Sequence, residues 1–458
     1  VLAAVCGLVR PGVTALFLLW APAAMAQVNE NPVATAVEDS VVNRPRPEYD
    51  PIGFSPGMLV NGGHEPRGQG VASVLDSFNL FPSMAVESYY TDNVFQTSVR
   101  RADLTTLFQP GLELRSDWDN HEFKLGMSGT ATREIANPTA NSTDYEIHAS
   151  TRLDIDDGQF SDLALSHSQN HEVNSILVNT VAAGTFNQGT KPIIYEDDNA
   201  KLDWTYQPSD ILLRGDATAR HLYFNNRAEP PTDQLLIESN QNRWEYDGHF
   251  RVGYEAFEST ILFVEPGVSV RRYDSSPTDF PQLAGTIEDR NSNGGQVLAG
   301  LTYNASSVAF LDFGIGYIER EFTNPSLPRV SGPAVRGALT WNPTELITVG
   351  ASLNRDIVES TTLGVAGFFR TAAHLSVDYE YDYNVILGSA LDYAREDAVA
   401  TPGFEQRIKD LHAIVSATYL INEYAKAQAG YRYEDLASTI ATQSFRENQI
   451  FLRLNLFY

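Results

Sequence analysis

Residues 243–272 read RWEYDGHFRVGYEAFESTILFVEPGVSVRR. Trp244, Tyr246, Phe250, Val252 and Tyr254 take alternate positions, and Arg243, Glu245, Asp247, His249 and Arg251 fill the positions between. After a short break at Phe257-Glu258-Ser259, Leu262, Val264, Val268 and Val270 resume the apolar series, against Glu265, Ser269 and Arg271. Successive side chains of a strand point to opposite faces. A period of two, with one apolar and one charged face, therefore predicts strands lying between two different solvents. Strands in soluble proteins usually run about 5–6 residues. These run to roughly 10–15, enough to cross a bilayer at a tilt.

The same pattern extends from Leu80 to the end of the chain. Tight polar connections recur at WDN (118–120), DDG (156–158), QPSD (207–210), FES (257–259), NAS (304–306), NPTE (342–345), YDYN (381–384) and INE (421–423). Longer polar loops alternate with them, the largest near 170–195, 225–241 and 274–293. These turns, with one strand at each end, give about eighteen strands. Short turns on one side and long loops on the other fit an outer-membrane barrel. The expected fold is all-β: a transmembrane, antiparallel, up-and-down β-barrel with a flexible N-terminal periplasmic arm. In a membrane no backbone group can stay unpaired at a sheet edge. The strand near Met84–Tyr90 must therefore pair with the one near Gln449–Tyr458.

The first 26 residues differ from the rest. Arg10 precedes the apolar run VTALFLLW, and Ala24 and Ala26 stand at the small-residue positions of a cleavage site, so residues 1–26 read as a signal peptide. Residues 27–78, rich in Pro and Gly, read as a flexible periplasmic arm or partial plug, and residues 79–458 as the barrel. The single cysteine, Cys6, leaves with the signal, so no disulfide or cysteine metal site is expected in the mature chain. A formal net charge of −26 argues against nucleic acid as a partner, which needs basic stripes.

Alternation assigns the inward residues. Glu113, Arg115, Arg214, Asp216, Arg220, Glu245, Arg251, Glu265, Arg271, Asp312, Arg336, Arg432 and Arg453 are expected to line the lumen. Lys124, Arg152, Asp378, Asp392 and Lys426 share their pattern. Both signs occur, with no ladder of one sign that would set strong ion selectivity. Tyr89, Tyr90, Tyr206, Tyr317, Tyr431 and Tyr458 fall near strand ends and are expected to form aromatic belts at the lipid–water boundary. In YYTDNVFQT (89–97), Asp92 and Asn93 suit the start of the first external loop.

No catalytic residue, cofactor or metal site is expected. GFSPG (53–57) has the Gly-x-Ser-x-Gly form, but it lies in the arm without the strand–turn–helix context that Ser55 would need. Ser166 and His167, adjacent on a strand, point to opposite faces and cannot pair directly. No His-x-x-x-His spacing suggests a metal centre.

The C-terminal ENQIFLRLNLFY alternates Ile450, Leu452, Leu454, Leu456 and Tyr458, ending on an aromatic residue, and resembles the signal that barrels present to their assembly machinery. The segments RPRPEYDPIGF, LFPSMAVESYYTDNVFQT, QPGLELRSDWDNHEFKLG and DYEIHASTRLDI resemble the putative β-barrel porin 2 family, most strongly over residues 44–170. That resemblance implies a Gram-negative outer-membrane location, among lipid and lipopolysaccharide. It also implies a conduit for exopolysaccharide export with a periplasmic polysaccharide-export protein as partner. The alternative is a general diffusion porin for small solutes. A structural or adhesive barrel and an outer-membrane lipid-modifying enzyme are further alternatives.

Overall fold

The computed structural model describes residues 71–457, apart from positions 76, 119, 157, 173–192, 230–233, 281–287, 306–307, 345, 361 and 441–442. The expected signal peptide, Ser55, Tyr458 and most of the 170–195 loop lie outside the described residues.

Along the chain the strands are β1 (Val71–Leu75), β2 (Phe78–Thr91), β3 (Asp103–Ser116), β4 (Glu122–Glu134), β5 (Ser142–Asp156), β6 (Gln159–Glu172) and β7 (Ile193–Tyr206). There follow β8 (Ile211–Phe224), β9 (Arg227–Glu229), β10 (Gln234–Leu236), β11 (Arg243–Phe257), β12 (Thr260–Tyr273), β13 (Ser292–Ala305) and β14 (Ala309–Phe322). The last are β15 (Val330–Thr344), β16 (Ile347–Val358), β17 (Val365–Asp382), β18 (Val385–Ala400), β19 (Arg407–Asn422), β20 (Ala425–Ser438) and β21 (Phe445–Phe457). Sequence neighbours pair antiparallel, β8 pairs with β11 across the short β9–β10 hairpin, and β21 returns to β2. The sheet closes as an 18-strand antiparallel barrel.

The seam joins Ser83–Thr91 to Gln449–Phe457, so Glu87 faces Arg453 and Tyr89 faces Phe451 in the ladder. Below Ser83 the last strand gives out. There β1 takes its place, with Val71 opposite Leu80 and Leu75 opposite Phe78. The sheet therefore begins inside the stretch read as an arm, because the lower end of β2 would otherwise present unpaired backbone groups.

The eight tight connections fall where the sequence puts them, all at one edge of the barrel. Their backbone explains their composition. Gly158 (φ +74°) ends the DDG turn, and a Cβ there would run into the Gln207 carbonyl. Ser259 and His121 take the left-handed conformation in their own turns, tolerable for single residues of a tight connection. Longer connections occupy the opposite edge, and the one between β8 and β11 carries the β9–β10 hairpin.

The outward face is apolar, with Val252, Val264, Val268, Met127, Ile315, Val415 and Leu452 all exposed. Aromatic residues bracket it. Tyr254, Tyr303, Trp341, Tyr379 and Tyr419 stand toward the short turns, and Tyr90, Tyr223, Trp244, Tyr246, Tyr317, Tyr393 and Tyr431 toward the loops. Some stack along one strand, as Trp204 on Tyr206 and Trp244 on Tyr246 do. Two aromatic girdles around an apolar band of about 25 Å are the mark of a membrane barrel.

Candidate channel lining

Every inward residue expected from the alternation stands on the face opposite the apolar band. The register fixes this: Arg214 lies opposite Arg251, Arg220 opposite Glu245, Glu245 opposite Arg271 and Arg432 opposite Gln449. Glu113 and Arg115 pair with each other near the short turns.

At mid-height, Arg251 organises the wall. Its guanidinium donates to Glu265 (2.7 Å) and to Asp312 (2.5 Å), and Arg336 reaches Glu265 from the other side (2.5 Å). Asp312 also accepts from the Thr302 hydroxyl at 2.7 Å. Beneath Arg251 lies the Phe263 ring, 3.6 Å from the guanidinium carbon to the centroid. That ring is seated where Gly300 and Gly314 face each other across β13 and β14; a Cβ on either would press against it. Closer to the short turns, Asp203 and Asp216 are opposite each other in the β7–β8 ladder. Like charges so placed repel, and Lys201, Arg214 and His249 offset them.

Toward the loops, Arg220 holds Asp197 at 2.5 Å and Arg243 holds Glu245 at 2.7 Å. Arg271 pairs with Asp247, and Arg320 with Glu359, which enters from the β16–β17 loop. A second contact ties two loops together over this wall. Arg290, preceding β13, donates to the Thr362 and Val365 carbonyls at 2.6 and 2.7 Å, and the Gly364 N–H donates to Glu288 at 2.9 Å.

The opposite wall is different. One lateral row runs His374–Asp392–His412–Glu434–Glu447 across five adjacent strands, each residue directly opposite the next. His374 Nδ1 lies 2.7 Å from Asp392, and His412 Nε2 lies 2.8 Å from Asp410. Glu434 and Glu447 are bridged by the side-chain amide of Gln96, which donates to both at 3.2 and 3.1 Å. Asp410, His412 and Glu434 bring one ligand atom each within 4.8 Å, a grouping that no local sequence spacing announces. Arg290, Arg320, Glu359, Gln96 and, apart from Asp392, the residues of this row are absent from the sequence-derived lining. Arg320 and Glu434 share the alternation that found their neighbours; Arg290, Glu359 and Gln96 sit in loops, where alternation gives no signal.

Two expectations for the tyrosines change. Tyr89 does not join a belt: it points inward and packs against Ala390, Ile414 and Phe451. Its neighbour Tyr90 points outward and is 51% exposed. Adjacent strand residues cannot share a face, so only one of the pair can meet lipid. Tyr206, Tyr317 and Tyr431 stand on the outward face. Asp92 serves the seam: it accepts from the Asn448 N–H (2.8 Å), the Asn448 side chain (2.7 Å) and Arg100 (2.7 Å). His167 faces outward, 2.7 Å from Asp198 and 3.3 Å from the Tyr145 hydroxyl, and none of the described serines bonds to it.

The sequence matches the putative β-barrel porin 2 family over residues 66–457. The chain belongs to that family. None of the curated proteins matches it. Among solved structures, it is similar to the outer membrane protein OpdK of Pseudomonas aeruginosa, with 10% identity over 83% of this chain and 99% of that one, at a TM-score of 0.43. It is also similar to OccK3 of the same organism (14%, 85% and 98%, TM-score 0.41) and OccAB3 of Acinetobacter baumannii (9%, 83% and 99%, TM-score 0.41). The chain's membership of this porin family rests on the sequence match, and its barrel on the strand pairing.

Proposed function

We propose that this porin-family barrel is an outer-membrane diffusion channel for small polar solutes, in place of the polysaccharide conduit expected from the resemblance. The observation that carries this reading is the treatment of the inward aromatic rings. A sugar polymer would need exposed rings along its path. Here five of them lie under cations: Arg251 over Phe263, Arg432 over Phe451, Arg115 over Phe81, Arg152 over Phe160 and Lys426 over Phe457. Phe263 and Phe451 are almost fully buried. The same face is dense in charged and amide side chains, suited to hydrated small solutes. Eighteen strands enclose more space than wall side chains fill.

Refolded protein in planar bilayers should give steady single-channel currents, and liposomes carrying it should swell in small sugars but not in oligosaccharides. A non-conducting barrel, or equal swelling with long oligosaccharides, would sink this reading. Recognition of β21 by the assembly machinery belongs to the same proposal. An enzyme reading has no support from a bonded nucleophile–base pair at His167.

A further inference from the structure

The positive charges on the outside of the barrel are not spread evenly. Among the described strand residues, outward lysines and arginines stand near the loop-side ends. Arg133, Arg272 and Arg355 stand singly on β4, β12 and β16, whereas Arg395, Arg407, Lys409 and Arg446 gather on β18, β19 and β21. No described strand residue places a cation outward near the short turns; Arg115, Lys124, Arg152, Lys201 and Lys426, which lie there, all face in. In a chain of net charge −26 this is an ordered distribution, not an excess of base.

The β18–β21 group is the one cluster among these described residues. Arg395 of β18 and Lys409 of β19 stand directly opposite each other in the ladder, and Arg407 stands opposite Asp397 one step nearer the loops. Directly opposed like charges repel across a strand pair. Asp397 is shared by Arg395 (2.8 Å) and Arg407 (2.6 Å), leaving three cations against one carboxylate, and all three are substantially exposed. Farther round, Arg446 is held by Asp435 at 3.2 Å. The height of the cluster matters as much as its charge. Tyr393, on the same face two residues before Arg395, belongs to the loop-side aromatic girdle, and such girdles mark the lipid–water boundary. The cations lie just beyond it, at the level of lipid head groups.

We propose that Arg395, Arg407 and Lys409 form a docking site for the phosphates of a phosphorylated glycolipid in the leaflet on the loop side. A phosphate has three acceptor oxygens and bonds arginine in bidentate fashion, so it would relieve the Arg395–Lys409 repulsion. The acyl chains of the same lipid would lie along the apolar band beneath. The opposite leaflet meets no outward cation on the described strands, so the site sorts the two leaflets.

The test uses the full chain refolded in neutral detergent. Lipopolysaccharide is titrated against thermal unfolding and against retention on gel filtration. Lipopolysaccharide should stabilise the wild type, and chemically dephosphorylated lipopolysaccharide should not. The triple variant Arg395→Gln/Arg407→Gln/Lys409→Gln should bind about ten-fold or more weakly, while Arg115→Gln, an inward exposed site, should bind as the wild type does. The heat-modifiable gel shift of a folded barrel separates lost binding from lost folding, and Arg395→Gln alone gives a milder second point. Equal binding by the triple variant would overturn the proposal. So would equal binding of dephosphorylated lipid, or equal stabilisation by inorganic phosphate. Channel conductance is read separately and does not enter this comparison.

Discussion

Arg251 shows how much a single residue carries in a wall of this kind. It is buried, holds two carboxylates and shields an aromatic ring. Replacing it with leucine leaves Glu265 and Asp312 without their shared guanidinium, and removing one partner of a buried pair costs about 3–5 kcal/mol. Arg251→Leu should therefore unfold at markedly lower denaturant in detergent, and the double variant with Glu265→Leu should recover part of the loss. A single variant as stable as the wild type would show that Arg336 and Thr302 suffice. Arg251 and both its partners were legible in the sequence, because each sits at an alternating position. That Arg251 meets Asp312 was not, since the two lie 61 residues apart and meet only once β11, β12, β13 and β14 are side by side. Tyr89 marks the opposite limit: a belt of tyrosines is a compositional signal, and composition does not choose between two adjacent residues.

At the scale of elements, the strands and short turns follow from local chemistry, and all eight tight connections fall at the polar breaks in the alternation. The long loops do not follow from it. Their contacts are set by what closure brings near them, as when Glu359 meets Arg271 and Arg320. The bridge from Arg290 to the β16–β17 loop is the clearest case. Arg290→Ala should leave the barrel folded, speed proteolysis within 359–364, and add brief closures and openings to single-channel traces. Unchanged cleavage and quiet traces would show that the ion pairs of Glu359 hold this loop unaided.

For the whole molecule, strand alternation alone puts both signs in the lumen and predicts weak selectivity. Closure sorts those signs. On the β8–β14 wall arginines face matched carboxylates, whereas the β17–β21 row sets Asp392, Glu434 and Glu447 beside two histidines and Asp410. Carboxylates lining a pore favour cations. Under a KCl gradient the reversal potential should have the sign of potassium carriage, and Glu434→Gln/Glu447→Gln should move it toward zero. A chloride-selective wild type would contradict this account. The short strand β1 has a consequence of a different kind. It completes the seam from upstream, so the barrel's first and last strands are staggered and the missing length is lent by the segment that precedes them. A reporter attached just before Val71 would thus read out the final step of closure. Trimming the chain past that residue should leave a ring that forms but stays unzipped at its lower rim.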